Sequence, residues 1–256
     1  MTSTIKNHYC NNVLQNKKKR KIGCYLILND EISKLSLTEQ VKIIVDNGIE
    51  LPFIQYRVRN KNFFQMSKEV NSIINILDIN KVSTKLIVND FLELGIDYAH
   101  GIHLGERDAS IETAVDLAEK KFRRINVSST SNESNKSNHV DSFFLIGLTA
   151  NSIRKVREIN KSEYVDLIEY IGLGPVSFTQ HMPFIKPLGI INAKKALSIS
   201  KLPIVFIGGL KAINESSLFS EPVPEGLALM STIIKYTHID TEKLRRFMRL
   251  YESTFA

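Results

Sequence analysis

Eight short apolar runs recur along this chain, each followed by enough residues for a helix. They lie at 23–28, 52–57, 85–89, 99–104, 143–148, 167–173, 203–207 and 226–230. All are rich in Ile, Leu, Val or Phe, and several end in glycine or a polar residue, as strands buried on both faces do. Segments with helical spacing lie between them, at 36–47, 62–77, 110–121, 151–161, 190–200 and 240–251, with shorter ones at 90–97 and 211–219. In the first, Val41, Ile44 and Val45 share a face. A strand followed by a helix eight times in 256 residues predicts a (β/α)8 TIM barrel in a single domain. An open doubly wound sheet is the other architecture with this alternation. It usually has fewer strands, and no GxGxxG follows the first strand.

The composition, 43% hydrophobic and 24% charged, supplies a substantial core. The net charge of +7 is partly local: Lys17-Lys18-Lys19-Arg20-Lys21 ends a polar N-terminal tail, residues 1–21. No aromatic residue interleaves with that run, so it is read as a solvated tail and no nucleic-acid partner is expected. Cys10 and Cys24 lie in no CxxC or His-rich setting, which argues against zinc. No run is long enough for a membrane span and no signal peptide is read, so a cytoplasmic protein is expected. Residues 126–141 hold nine Ser or Asn among sixteen; they are read as a flexible insertion before strand 5.

In a barrel the loops after the strands share one face, and that face carries the chemistry. Strand 2 ends in Gln55, Arg57 and Arg59, whose alternation points them the same way. An inward arginine is costly unless it meets an anion. Strand 3 ends in Asn89 and Asp90, and the loop after strand 4 carries Glu106, Arg107 and Asp108. Thr149 ends strand 5, and Asn151 follows it. After strand 6 come Gly174, Thr179, Gln180 and His181; after strand 7, Gly208 and Gly209; after strand 8, Ser231 and Thr232 at an expected helix start. Glycine turns and a helix start suit a phosphate. Paired carboxylates suit magnesium, which takes few protein ligands and completes its shell with phosphate oxygens and water. His103 alternates with Ile102 and Leu104 and is expected to be a satisfied core histidine.

QYRVR at 55–59, LIVND at 86–90, GIHLGERD at 101–108, YIGLGPVSFT at 170–179, PIVFIGG at 203–209 and EGLALMS at 225–231 together resemble the thiamine-phosphate synthase family. The resemblance covers roughly residues 22–235. It implies a barrel that condenses two small-molecule substrates, a hydroxymethylpyrimidine diphosphate and a thiazole phosphate, with magnesium as cofactor and pyrophosphate as leaving group. By position it implies that Gln55, Arg57, Arg59 and Asn89 contact the pyrimidine diphosphate and that Asp90 and Asp108 hold the magnesium. Thr149 stands where the family commonly has a serine near the diphosphate. Thr179 opens the thiazole-phosphate loop, and His181 within it is read as a substrate contact. Gly209, Met230 and Ser231 match the phosphate cradle.

The chain departs from the family pattern in places. Arg59 replaces a lysine, keeping the charge but not the geometry. Glu106 replaces a common glutamine. The loop that usually reads Thr-x-Thr-Lys reads Thr179-Gln180-His181-Met182. Lys186, flanked by Pro183 and Pro187, is expected to supply the missing cation, so Arg57, Arg59 and Lys186 form the expected catalytic set. A barrel that binds thiamine precursors without turning them over is the alternative. Thiazole isomerisation, as in the related tautomerases, is a third reading, for which Asn151 offers no titratable group. A homo-oligomer is compatible with the sequence, and nothing in it specifies one.

Overall fold

The computed structural model describes residues 20–129, 144–180 and 182–255. Eight strands, β1 (Gly23–Asn29), β2 (Phe53–Arg57), β3 (Lys85–Asn89), β4 (Gly101–Leu104), β5 (Leu145–Ala150), β6 (Tyr170–Leu173), β7 (Ile204–Ile207) and β8 (Gly226–Leu229), close into a barrel in chain order. Neighbouring strands run parallel, and β8 returns to β1 with Gly226 beside Gly23 and Leu229 beside Leu26. A helix follows each strand: α1 (Leu37–Asp46), α2 (Phe63–Ile79), α3 (Leu92–Tyr98), α4 (Ile111–Ser129), α5 (Ile153–Ile159), α6 (Ile190–Ile199), α7 (Glu215–Phe219) and α8 (Thr241–Ser253). The expected (β/α)8 barrel is the fold.

Local sequence starts the helices. Ser36 accepts a hydrogen bond from the Glu39 N–H while Glu39 reaches back to the Ser36 N–H, and Asn62 and Gln65 do the same for α2. Each such box satisfies donors that a helix start otherwise leaves open, worth about 1 kcal/mol. Helix α1 buries Leu37, Gln40, Val41 and Ile44, so its inner face includes a glutamine.

Alternate strand residues feed two separate cores. Leu26, Leu28, Ile54, Leu86, Val88 and Ile102 belong to the layer packed under the helices. Tyr25, Ile27, Phe53, Ile87, Leu145, Tyr170, Val205 and Ala228 fill the barrel interior. There the Phe53 ring lies 4.4 Å from Tyr25 and 5.4 Å from Tyr170, and His103 stacks on Tyr170 at 5.5 Å. Four rings need space, and glycines provide it. A Cβ on Gly147 would lie 2.4 Å from the Tyr170 ring and 2.7 Å from His103 Nδ1; one on Gly172 would lie 2.9 Å from His103 Cε1.

Several boundaries differ from the sequence reading. Strand β5 runs on to Ala150, so Thr149 sits within it. A 3-10 turn at Val165–Leu167 precedes β6, which delays that strand to Tyr170. Helix α4 runs to Ser129, so the first four residues of the predicted 126–141 insertion have helical backbone; the rest, like residues 1–19, lies outside the described residues. Arg20 and Lys21, assigned to the tail, are already docked. Arg20 pairs with Glu169, and the Lys21 ammonium lies 4.3 Å from the centre of the Phe255 ring. Among the described residues no helix is long and apolar enough to cross a membrane.

Candidate active site at the carboxyl ends of the strands

The parity that sends Tyr25, Phe53, Ile87 and Tyr170 inward also sends in Asn29, Gln55, Arg57, Asn89, His103 and Thr149. The interior is therefore apolar below and polar at the mouth. Gln55 is buried, with its Nε2 unpaired by the protein, and Arg57 is largely buried, with one terminal nitrogen equally unpaired. Arg59 lies beyond the end of β2 and is half exposed. Both arginines face one carboxylate, Glu31 of the β1 loop, at 3.8 Å from Arg57 and 3.9 Å from Arg59. Burial, then the Arg59 charge, work against the Arg57 cation; Glu31, Asp90 and Asp30 support it.

The structure brings Asp90 and Asp108 side by side. Asp90 sits at φ +72°, a left-handed conformation that aspartate tolerates better than most residues, and its N–H donates to the His103 carbonyl at 3.0 Å. Asp108 folds back so that its Oδ2 accepts from the Gly105 N–H at 2.6 Å. The Asp90 carboxyl is raised above the usual carboxylate range by its recess in the rim, then by the hydrogen bond and negative charge of Asp108; Arg57 and Arg59 act the other way. The Asp90 residue as a whole is exposed, so the neighbouring carboxyl counts for more than desolvation. Two carboxylates side by side repel each other, and a divalent cation relieves that repulsion. Among the described residues no group of three or more His, Cys, Asp or Glu side chains converges as a metal cage. The donor set fits a magnesium ion that draws its other ligands from phosphate and water.

Beneath the rim, Thr149 Oγ1 lies 2.9 Å from His103 Nε2, and His103 Nδ1 lies 2.9 Å from the Tyr170 hydroxyl. His103 is a satisfied core histidine: burial pushes its pKa down to about 4, with Asp108 acting the other way. Asn89 stands half-buried at the end of β3. Asn151 donates to Glu106 at 3.0 Å, an interaction the sequence gave no reason to expect.

The phosphate side differs from the sequence expectation. No helix begins at Ser231; residues 231–233 form a turn, and the next helix begins at Thr241. The Lys235 N–H, which a helix would donate to the Ser231 carbonyl, donates instead to the His238 carbonyl at 2.8 Å, and the Lys235 ammonium binds the carbonyls of Ser231 at 3.1 Å and Thr232 at 2.9 Å. Gly208 and Gly209, at φ +81° and +70°, serve close packing as well as turning. The β6 loop presses on them, and a Cβ on Gly209 would lie 2.4 Å from the Ser177 carbonyl. Their backbone is thus locked to the loop that carries Thr179. In that loop Phe178, Met182, Phe184 and Ile185 are exposed, and so is Lys186, which makes no ion pair among the described residues. His181 lies outside the described residues. Sequence reasoning missed Glu31, Asp30 and Lys61. Lys61 is held by Glu69 at 2.7 Å and Asp30 at 3.0 Å, so it is a structural cation. The run Asn29-Asp30-Glu31 ending strand 1 was the available signal.

Fold and rim together define a class: a (β/α)8 barrel whose mouth sets an arginine pair and a carboxyl pair on neighbouring strand ends, with glycine turns opposite. Comparison with known proteins narrows it. A family model described as thiamine monophosphate synthase matches residues 24–140 and 132–233. The thiamine-phosphate synthase of Dictyoglomus turgidum is 30% identical over 216 residues, covering 83% of this chain and 82% of that protein. That of Caldicellulosiruptor bescii is 32% identical over 179 residues, covering 69% and 68%. The thiamine phosphate pyrophosphorylase structure from Pyrococcus furiosus shares the fold, with a TM-score of 0.69 over 94% of this chain and 99% of that one at 20% identity. The chain belongs to the thiamine monophosphate synthase family.

Proposed function

We propose that this chain is a thiamine-phosphate synthase, a transferase joining an aminopyrimidine methyl diphosphate to a thiazole phosphate. The observation that carries the reading is the placement of opposite charges at the ends of β2, β3 and the β4 loop: Arg57 and Arg59 for a diphosphate, Asp90 and Asp108 for the cation that accompanies it. In the reaction the methylene C–O bond breaks and its electron pair leaves with pyrophosphate. The thiazole nitrogen lone pair then forms the new C–N bond at that carbon. The aminopyrimidine ring delocalises the transient positive charge, so no protein nucleophile is required. Arg57 and Arg59 stabilise charge developing on the leaving group. A magnesium ion at Asp90 and Asp108 would neutralise part of the same charge. Gln55 and Asn89 orient the pyrimidine diphosphate, and Thr149, held by His103, meets it near the diphosphate. Gly209, Met230 and Ser231 receive the thiazole phosphate through backbone groups, with Thr179 closing over it. Lys186 supplies the cation that Met182 does not. Asn151, bonded to Glu106 and unable to titrate, does not serve the proton transfers of an isomerase.

The test is a coupling assay with both precursors and magnesium. Thiamine phosphate and pyrophosphate should form in equal amounts. Asp90→Asn and Asp108→Asn should each lower turnover by about 100-fold or more, the scale of losing one charge-stabilising group; asparagine also tolerates the backbone of residue 90. Binding of both precursors without product would establish the non-catalytic alternative. Full activity of both variants would overturn the assignment of the carboxyl pair.

A further inference from the structure

The β1 loop has no role in the reaction just described, yet it places a carboxylate against both diphosphate arginines. Its position is built from buried parts. Gln40, fully buried on α1, receives the Asn29 N–H at 3.2 Å and donates to the Asn29 carbonyl at 2.9 Å. The Asn29 side chain in turn accepts from the N–H groups of Glu31 at 2.9 Å and Ile32 at 3.0 Å. The backbone of Glu31 is therefore fixed from the helix layer outward. Its carboxylate reaches Arg57 and Arg59 at 3.8 and 3.9 Å, beyond hydrogen-bond range, and the buried Arg57 nitrogen has no hydrogen-bond partner. The contrast is Lys61, whose 2.7 and 3.0 Å contacts commit it to Glu69 and Asp30. Lys61 is thus committed to structure, whereas Arg57 and Arg59 keep donors in reserve.

We propose that Glu31 is a positioning residue, an internal counterion that stands in for the substrate diphosphate and weakens the hold of the free site on pyrophosphate; the inference rests on the synthase reading above. One carboxylate relieves the repulsion between two neighbouring guanidinium groups without consuming their donors. An arriving diphosphate, with more charge and well-placed oxygens, takes over both arginines. When the product leaves, Glu31 is again their competing anion. It thereby favours release of pyrophosphate at the expense of initial binding.

The experiment titrates inorganic pyrophosphate, with magnesium, into the wild type, Glu31→Gln, Glu31→Asp and Arg57→Ala, at low and high salt. Glu31→Gln should bind pyrophosphate about three- to tenfold more tightly at low salt, somewhat above one partly exposed ion pair because two arginines are involved. The gain should shrink at high salt. KM for the pyrimidine diphosphate should fall in parallel, and kcat should fall where product release limits it, a split that a purely structural residue would not produce. Glu31→Asp, which keeps the charge one methylene shorter, should lie between. Unchanged or weaker pyrophosphate binding in Glu31→Gln overturns the proposal. If Arg57→Ala abolishes binding in that case, the site reading stands without it. Undiminished binding by Arg57→Ala overturns both.

Discussion

Lowering the pH from 6.5 to about 4, from the ordinary imidazole value to that of His103 in the fold, probes the barrel interior directly. In the unfolded chain His103 takes up a proton near the top of this range. In the fold the ring is buried, stacked on Tyr170, hemmed in by Gly147 and Gly172, and already bonded through both nitrogens. The unfolded state therefore binds more protons throughout the interval, and stability falls as the pH falls. The contribution is complete above the unfolded value and gone below the folded one. A gap of roughly 2.5 pH units at about 1.4 kcal/mol each gives about 3 kcal/mol. Asp90, raised in the fold, contributes with the opposite sign, so a comparison of two proteins is needed. The assay is denaturant unfolding across this range for the wild type and His103→Gln, whose amide offers Tyr170 and Thr149 a donor and an acceptor without titrating. The wild type should lose about 3 kcal/mol more than the variant between the ends of the range. Identical pH dependence of the two, or an NMR titration of the His103 ring near 6.5, would refute the reasoning.

Gly209→Ala should destabilise the barrel by about 1–2 kcal/mol from the left-handed backbone alone, with a further cost from the 2.4 Å approach to the Ser177 carbonyl. Displacement of the β6 loop should also raise KM for the thiazole phosphate, measured by steady-state kinetics. Gln40→Leu should lower stability in denaturant by about 2–4 kcal/mol, because the Asn29 N–H and carbonyl lose their partner inside the protein. The same variant should loosen Glu31 and mimic part of the Glu31→Gln effect on pyrophosphate binding, which calorimetry would read.

The sequence alone determined the fold and most of the residues at the mouth. Strand periodicity is local: Gln55 and Arg57 share the parity of Phe53, so their direction follows from the chain itself. Chain order in a parallel barrel also fixes which strand ends are neighbours. Asp90, just past the end of one strand, and Asp108, in the loop after the next, therefore fall on the same part of the rim. The tertiary structure decided what acts across strands and from the helices. Ser231 reads as a helix start, but the Lys235 N–H that would close its first turn donates to His238 instead. Nothing in the sequence around Gly147 and Gly172 says what they make room for. Only the closed barrel shows that they make way for rings carried by β4 and β6. Glu31 is assigned no role by the sequence alone. It becomes the counterion of two arginines because Gln40, on a helix face that otherwise reads as apolar, pins the β1 loop in place. Ion pairs and ring contacts join residues distant in sequence, and their energies depend on distances that periodicity does not encode.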